Sequence, residues 1–129
     1  MPLTITAIYG SFLALFLIVL AFPVMKLRRN LKVGLGDGGH PSLRQAIRAH
    51  GNAAEFIPIF VILLAIFELN HASARAVHIF GAVFLAARLA HAWGLYGNTG
   101  VSIGRIIGVL GTFGCIIGLA IANLIKSVM

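Results

Sequence analysis

The stretch from Ile5 to Met25, ITAIYGSFLALFLIVLAFPVM, carries no charged side chain over 21 residues. A helix needs about 20 apolar residues to cross the roughly 30 Å of hydrocarbon in a bilayer. The stretch therefore predicts a membrane-spanning helix.

The composition agrees with a membrane protein and excludes several other classes. Apolar residues form 60% of the 129-residue chain, charged residues 10%, and the mean hydropathy is +1.01. Typical soluble domains have about 45–50% apolar and about 25% charged residues. A soluble globule and a disordered chain are both excluded. Cys115 is the single cysteine, so an internal disulfide is impossible.

Three further apolar stretches resemble the first. We predict one domain over residues 1–129, with spans at about 4–25, 42–69, 72–96 and 104–128. The fold class is all-α, an integral membrane four-helix bundle. Four spans place both termini on the same side of the membrane.

Basic residues are concentrated in the first connection, and they predict its side. It carries Lys26, Arg28, Arg29 and Lys32, and Arg105 follows the third connection. The positive-inside rule places both connections in the cytoplasm and both termini on the non-cytoplasmic side. No aromatic residue interleaves this cluster, so we attribute the net charge of +7 to topology and expect no nucleic-acid partner.

Glycines recur along one broad face of the fourth span. Small residues allow helix backbones to approach closely in lipid. The face predicts tight packing, and Cys115 in the same apolar run is interpreted as a packing residue. The glycines are Gly104, Gly108, Gly111, Gly114 and Gly118.

Polar residues inside the second span form a stripe at helical spacing. Four of them recur every three or four residues, on one helix face about 16 Å long. A charged side chain deep in a bilayer costs at least about 2.5–3.5 kcal/mol on insertion scales. We therefore expect the stripe to point into the bundle. Its members are Arg44, Arg48, Asn52 and Glu55.

The third span supplies a partner for the stripe. Arg88 lies eight residues before Tyr96, at a depth of about 12 Å, and Asn52 lies equally deep. Arg88 and the region of Asn52 and Glu55 should therefore meet, with His91 on the same face as Arg88. The surplus of guanidinium groups predicts a small anionic ligand bound through carboxylates.

A purely structural interpretation of Glu55 is also open. Glu55 could simply pair with Arg48 or Arg88 to hold the bundle together. Glu68, at the outer end of its helix, is expected at the membrane interface. We predict no metal site, because His40, His71 and His78 have no partner at metal-ligand spacing.

Two segments resemble a known family. Residues 48–58, RAHGNAAEFIP, and 87–91, ARLAH, resemble the second and third helices of the MAPEG family, the membrane-associated proteins in eicosanoid and glutathione metabolism. Within it, the chain is similar to microsomal glutathione transferase and prostaglandin E synthase. The resemblance implies a homotrimer of four-helix subunits, with glutathione bound between neighbours near the cytosolic face.

The resemblance also implies roles for individual residues. Arg105 would stabilise the glutathione thiolate, and Tyr96 would lie against the tripeptide or its thiol. The glutathione-binding residues would be Arg44, Arg48, Asn52, Glu55, Arg88 and His91. Gly51 and Ile106 depart from an arginine and a serine in prostaglandin E synthase, which argues against isomerase chemistry. The loop over residues 32–40, KVGLGDGGH, resembles that of bacterial members.

We therefore expect a glutathione transferase in a bacterial inner membrane, with its active site opening to the cytoplasm; a peroxidase activity as well is left open. Glutathione is its co-substrate, a hydrophobic small molecule is its acceptor, and lipid surrounds it. The alternative is a non-catalytic glutathione-binding or structural membrane protein. A small multidrug-type transporter is less favoured, because the first span has no acidic residue.

Overall fold

A computed structural model describes residues 2–97 and 100–128 of the chain. Within them the chain forms four helices: α1 (Thr4–Leu31), α2 (Pro41–Leu69), α3 (Ala74–Gly97) and α4 (Ile103–Val128). Each is long and apolar enough to cross a membrane, which confirms the prediction of four helices of membrane-spanning length. The predicted bounds of α2, α3 and α4 agree with the structure to within two residues.

The end of α1 differs from the prediction. Lys26 to Leu31 were expected in the connection, but they continue the helix. Lysine and arginine are good helix formers, so leaving the apolar stretch does not end the helix. The helix stops at Lys32, in the left-handed region at φ 55°. There the Arg28 Nη1 donates to the carbonyl oxygens of Val33 at 3.3 Å and Gly36 at 2.9 Å.

α2 and α3 form the centre of the bundle, and α1 and α4 each pack on both of them. The rings of Phe60 and Phe84 stack between α2 and α3, with centroids 3.7 Å apart. Leu13 of α1 and Leu119 of α4 are fully buried in the same core. The outward faces of all four helices are apolar and exposed, as lipid contact requires.

The bundle has two ends with different charge. We call the end where α1 and α3 finish the cationic end; its charged residues include Lys26, Arg28, Arg29, Lys32, Arg44 and Arg105. We call the other the Glu68 end, because Glu68 there joins α2 to the start of α1.

Glu68, expected at the membrane interface, lies in the last turn of α2 and is buried against α1. It is 7% exposed. Its Oε1 accepts the backbone N–H of Ile5 at 3.0 Å, and its Oε2 accepts that of Thr6 at 2.8 Å. The first turn of a helix leaves N–H groups without an intrahelical partner. Glu68 satisfies two of them and anchors α1 on α2.

The glycine face of α4 packs on α3, as predicted. A Cβ at Gly108 would lie 2.4 Å from the His91 Cβ, and one at Gly111 would lie 2.7 Å from the Ala87 Cβ. Gly114 is the exception, with nothing within 4 Å of its would-be Cβ. Cys115 is buried, in agreement with a packing role.

Candidate functional site

Arg88 lies at the centre of a polar cluster that joins three helices. It is 1% exposed. Its Nη2 donates to Asn52 Oδ1 of α2 at 2.8 Å, and its Nη1 donates to Thr112 Oγ1 of α4 at 3.2 Å. The predicted meeting of Arg88 and Asn52 is therefore confirmed. These two hydrogen bonds link α2, α3 and α4 and offset part of the cost of burying the guanidinium, whose Nε has no partner among the described residues.

The Arg88 contact determines how the Asn52 amide is oriented. A guanidinium has only donors, so the amide oxygen must face it. The Nδ2 of Asn52 therefore points away from Arg88. Asn52 is half-buried. Its N–H donors are consequently available at the margin of the cluster, on the face of α2 that carries Arg48 and Glu55.

Arg48 and Glu55 lie one turn to either side of Asn52, and both are exposed. The expectation that the whole stripe points into the bundle is wrong for these two residues within a single chain. The buried face of α2 is instead formed by small and apolar residues, among them Ala46, Ala49 and Ala53.

The purely structural alternative for Glu55 is also not observed. Over residues 2–97 and 100–128, Glu55 pairs with neither Arg48 nor Arg88. Its carboxylate and the Arg48 guanidinium are thus left facing outward, close to the Asn52 amide in sequence.

Arg44, the first member of the stripe, is occupied by the α1–α2 connection. Its Nε donates to the carboxylate of Asp37, and the Gly39 backbone N–H donates to the Asp37 Oδ1 at 2.9 Å. The Arg44 hydrogen bond, followed by that of Gly39, holds the pKa of Asp37 below its usual range. Arg44 therefore orders the loop and is not brought to the Arg88 cluster.

The start of α4 fixes Arg105 close to α3. Ser102 Oγ donates to the Gly94 carbonyl oxygen at 3.0 Å and accepts the Arg105 backbone N–H at 3.4 Å, in the manner of a helix N-cap. A Cβ at Gly94 would lie 2.6 Å from the Arg105 nitrogen, so only glycine permits this approach. The Arg105 Nη1 donates to the Gly100 carbonyl oxygen at 2.7 Å.

Arg105 and His91 line one groove at the cationic end. The groove has a volume of about 310 Å³, and its remaining lining is apolar: Val101, Ile106, Val109 and Leu110. His91 is 5% exposed, and its Nδ1 has no hydrogen-bond partner within the described part of the chain. The groove thus combines a cation, a buried imidazole and an apolar wall.

Comparison with known proteins identifies the family. The MAPEG family profile matches residues 6–125. The chain belongs to the MAPEG family. It is also 45% identical over 92 residues to the inner membrane protein YecN of Escherichia coli K12, which covers 71% of this chain and 70% of that protein. The YecN protein of E. coli O6:H1 matches to the same extent.

The profile match runs from α1 to α4 of this MAPEG protein, so it includes every residue of the polar cluster and of the Arg105 groove. The family resemblance predicted from residues 48–58 and 87–91 is confirmed. The relatives are named as inner membrane proteins, in agreement with four helices of membrane-spanning length.

Tyr96 and Thr112 complete the comparison with the sequence. Tyr96, in the last turn of α3, is 42% exposed, and the described residues give its hydroxyl no hydrogen bond. Thr112 was not predicted, because one uncharged hydroxyl in an apolar helix gives no charge signal. Thr112 lies among the glycines of α4 that pack on α3, and this position could have indicated a polar contact with α3.

Proposed function

We propose that this MAPEG protein is a membrane-bound glutathione transferase, which binds glutathione as a thiolate and adds it to hydrophobic electrophiles from the bilayer. The observation that carries the proposal is the Asn52 amide. Arg88, which is itself hydrogen-bonded to Thr112, donates to its oxygen, and Arg48 and Glu55 are exposed to either side. Membership of a family that includes glutathione transferases supports glutathione as the ligand.

The charges of this surface match those of glutathione, which has two carboxylates, one amine and one thiol. The Arg48 guanidinium and the Asn52 Nδ2 are donors suited to a carboxylate, and the Glu55 carboxylate is suited to the amine. Arg88 is enclosed by the bundle, so in this proposal it contributes by positioning Asn52. His91 and Arg105 lie along the neighbouring groove.

The exposure of Arg48 and Glu55 supports an oligomer, and the family resemblance favours a homotrimer. An isolated charge at the centre of a bilayer costs at least about 2.5–3.5 kcal/mol on insertion scales. A neighbouring copy packed over this face of α2 removes that cost and forms the second wall of the site. The site then lies between copies and, by the positive-inside rule, opens to the cytoplasm.

Arg105 is the proposed thiolate-stabilising residue. A free thiol has a pKa of about 8.5, and a nearby guanidinium lowers that pKa and favours the thiolate. The thiol proton passes to solvent at the mouth of the groove. The thiolate sulfur then forms a bond to an electrophilic carbon of the acceptor, whose leaving group departs with the bonding electrons. Catalysis consists of positioning and charge stabilisation, since the protein supplies no nucleophile.

A binding protein without turnover is the second candidate. Ile106, adjacent to Arg105, lines the groove with an apolar side chain. The residue after Arg105 therefore supplies no hydroxyl to act on the thiol. Glutathione binding without thiolate formation would favour this candidate.

The test is a glutathione titration of the purified protein in detergent, recorded as thiolate absorbance in the ultraviolet and as heat. The proposal expects saturable binding with a thiolate band at neutral pH. The Arg105→Ala variant should keep binding and lose the band and the turnover of apolar electrophiles. Arg75→Ala, an exposed arginine at the Glu68 end, is the matched control and should keep all three.

The outcomes separate the candidates. Heat without a thiolate band in the unmodified protein would support the binding protein. A thiolate band that survives Arg105→Ala would remove Arg105 from its role. No binding at millimolar glutathione would overturn the proposed ligand.

A further inference from the structure

We propose that the last turns of α1 form a binding site for the headgroup of an anionic phospholipid. The site is a groove of about 480 Å³ at the cationic end, lined by Phe22, Met25, Lys26, Arg29 and Asn30. It is separate from the polar cluster and from the Arg105 groove. It does not depend on the protein binding glutathione.

The groove follows one face of a single helix. Phe22, Met25, Lys26 and Arg29 are spaced as positions i, i+3, i+4 and i+7, which share a side of an α-helix. Phe22 is 59% exposed and Met25 is 54% exposed. The apolar half of the face therefore precedes the cationic half along the helix, over a rise of about 10 Å.

This order matches the depth profile of a phospholipid. Phe22 and Met25 end the charge-free stretch that begins at Ile5, so they lie where acyl chains begin. Lys26 and Arg29 follow at the depth of the phosphate. The Asn30 amide adds a donor and an acceptor suited to the glycerol or the headgroup hydroxyls.

Lys26 and Arg29 differ from Arg28 and Arg44 in having no protein partner. Arg28 donates to the carbonyl oxygens of Val33 and Gly36, and Arg44 donates to Asp37. Lys26 and Arg29 make no hydrogen bond or ion pair with the described residues, and Asp37, the acidic residue of that connection, is held by Arg44. Two cations without a neutralising partner, next to an apolar surface, favour the binding of an amphiphilic anion.

A soluble phosphate shares the anionic chemistry but not the apolar part. It would be attracted to Lys26 and Arg29, yet it would leave Phe22 and Met25 unused. A zwitterionic lipid would cover the apolar part but carries a cation of its own. An anionic phospholipid satisfies both halves of the face.

The experiment measures lipid binding to the intact protein. The full chain is purified in detergent, and its retention of phosphatidylglycerol and phosphatidylcholine is compared by native mass spectrometry over a lipid titration. The test variant is Lys26→Gln/Arg29→Gln. The matched control is Arg75→Gln/Lys126→Gln, which removes one arginine and one lysine, both exposed, from the Glu68 end.

We expect the unmodified protein and the control to prefer phosphatidylglycerol. The test variant should lose about tenfold or more of its phosphatidylglycerol affinity while its phosphatidylcholine binding is unchanged. Glutamine is a good helix former and both positions are exposed, so circular dichroism should show unchanged helix content. If the double variant fails to fold, Lys26→Gln and Arg29→Gln are measured singly against the same criterion.

Three results would overturn the proposal. One is a test variant that retains the preference for phosphatidylglycerol. Another is an equal loss in the test and control variants, which would indicate net charge instead of a site. The third is displacement of the lipid by millimolar inorganic phosphate, which would show that the phosphate alone is recognised and the apolar half is not used.

Discussion

α3 and α4 are joined backbone to backbone, whereas α1 is joined to its neighbours by side chains. Gly94, Gly104 and Gly108 leave no room for a Cβ between α3 and α4. On α1, burial is confined to Thr6, Leu13 and Leu20, and Glu68 holds its first turn from α2. The contact between α3 and α4 depends on glycines that lack a Cβ. The contact between α1 and α2 depends on the Glu68 carboxylate. Substitutions should therefore damage the two contacts in different ways.

The largest effect is expected from Gly108→Ala, which tests the backbone contact. The new Cβ would lie 2.4 Å from the His91 Cβ and 2.8 Å from the Ala87 carbonyl oxygen. Because the Ala87 carbonyl belongs to the backbone and cannot rotate away as a side chain can, α3 and α4 must separate. Overpacking of this kind typically costs about 1–3 kcal/mol. The midpoint of thermal unfolding in detergent, followed by circular dichroism, measures the loss.

Gly114→Ala is the matched control on the same helix. Nothing lies within 4 Å of its would-be Cβ, and alanine raises helix propensity by about 1 kcal/mol over glycine. Its midpoint should be unchanged or higher. Equal midpoints for the two variants would mean that the close approach of α3 and α4 does not limit stability.

Hydropathy predicts where the apolar part of α1 ends, but not where the helix itself ends. The charge-free stretch ends at Met25, but α1 continues to Leu31, because lysine and arginine leave the hydrocarbon without leaving the helix. At the stop, Lys32 takes the left-handed conformation and the Val33 backbone N–H donates to the Arg28 carbonyl oxygen at 3.0 Å. That is a contact across the turn, which periodicity does not report.

The second effect in size is expected from Glu68→Gln, which tests the side-chain contact. Glutamine keeps one acceptor oxygen, so one of the N–H groups of Ile5 and Thr6 loses its partner and the carboxylate charge at the helix start is lost. The cost should be about 1–2 kcal/mol. Amide hydrogen exchange at Ile5 and Thr6 should accelerate, while exchange in α3 and α4 stays the same.

Glu55→Gln makes the same substitution on the same helix and serves as the control. Glu55 is exposed and has no ion-pair partner in the described chain, so exchange at the start of α1 should not change. If Glu68→Gln leaves that exchange unaltered as well, packing of Leu13 and Leu20 alone holds α1, and the comparison between the two contacts fails.

Equal depth in the membrane was enough to predict that Arg88 meets Asn52, but a shared helix face does not tell which neighbour it faces. Arg48 and Glu55 have the spacing of Asn52, yet they face outward, because Ala46, Ala49 and Ala53 form the buried face of α2. Thr112 was missed because a hydroxyl signals a partner only once the helices have been packed together. Depth in the membrane thus predicted the Arg88–Asn52 contact, but the sequence did not predict which way Arg48 and Glu55 face.

The smallest effect is expected from Asp37→Asn. It tests whether the loop between α1 and α2 helps to hold α1 in place beside the Glu68 contact. Hydrogen bonds from Arg44 and Gly39 lower the pKa of Asp37, so the folded state favours the ionised form. Its stabilisation is then present above the unfolded pKa of about 3.9 and disappears as the pH falls through the lower folded value. The pair is exposed and screened by solvent, so the thermal midpoint of Asp37→Asn should fall only slightly below the midpoint of the unmodified protein at pH 7.

The Arg44→Gln variant should reproduce that small shift. The difference in midpoint between Asp37→Asn and the unmodified protein should disappear once the pH is below both pKa values of Asp37. A gap that persists in acid, or one as large as that of Glu68→Gln, would show that the loop holds α1 through something other than this ion pair.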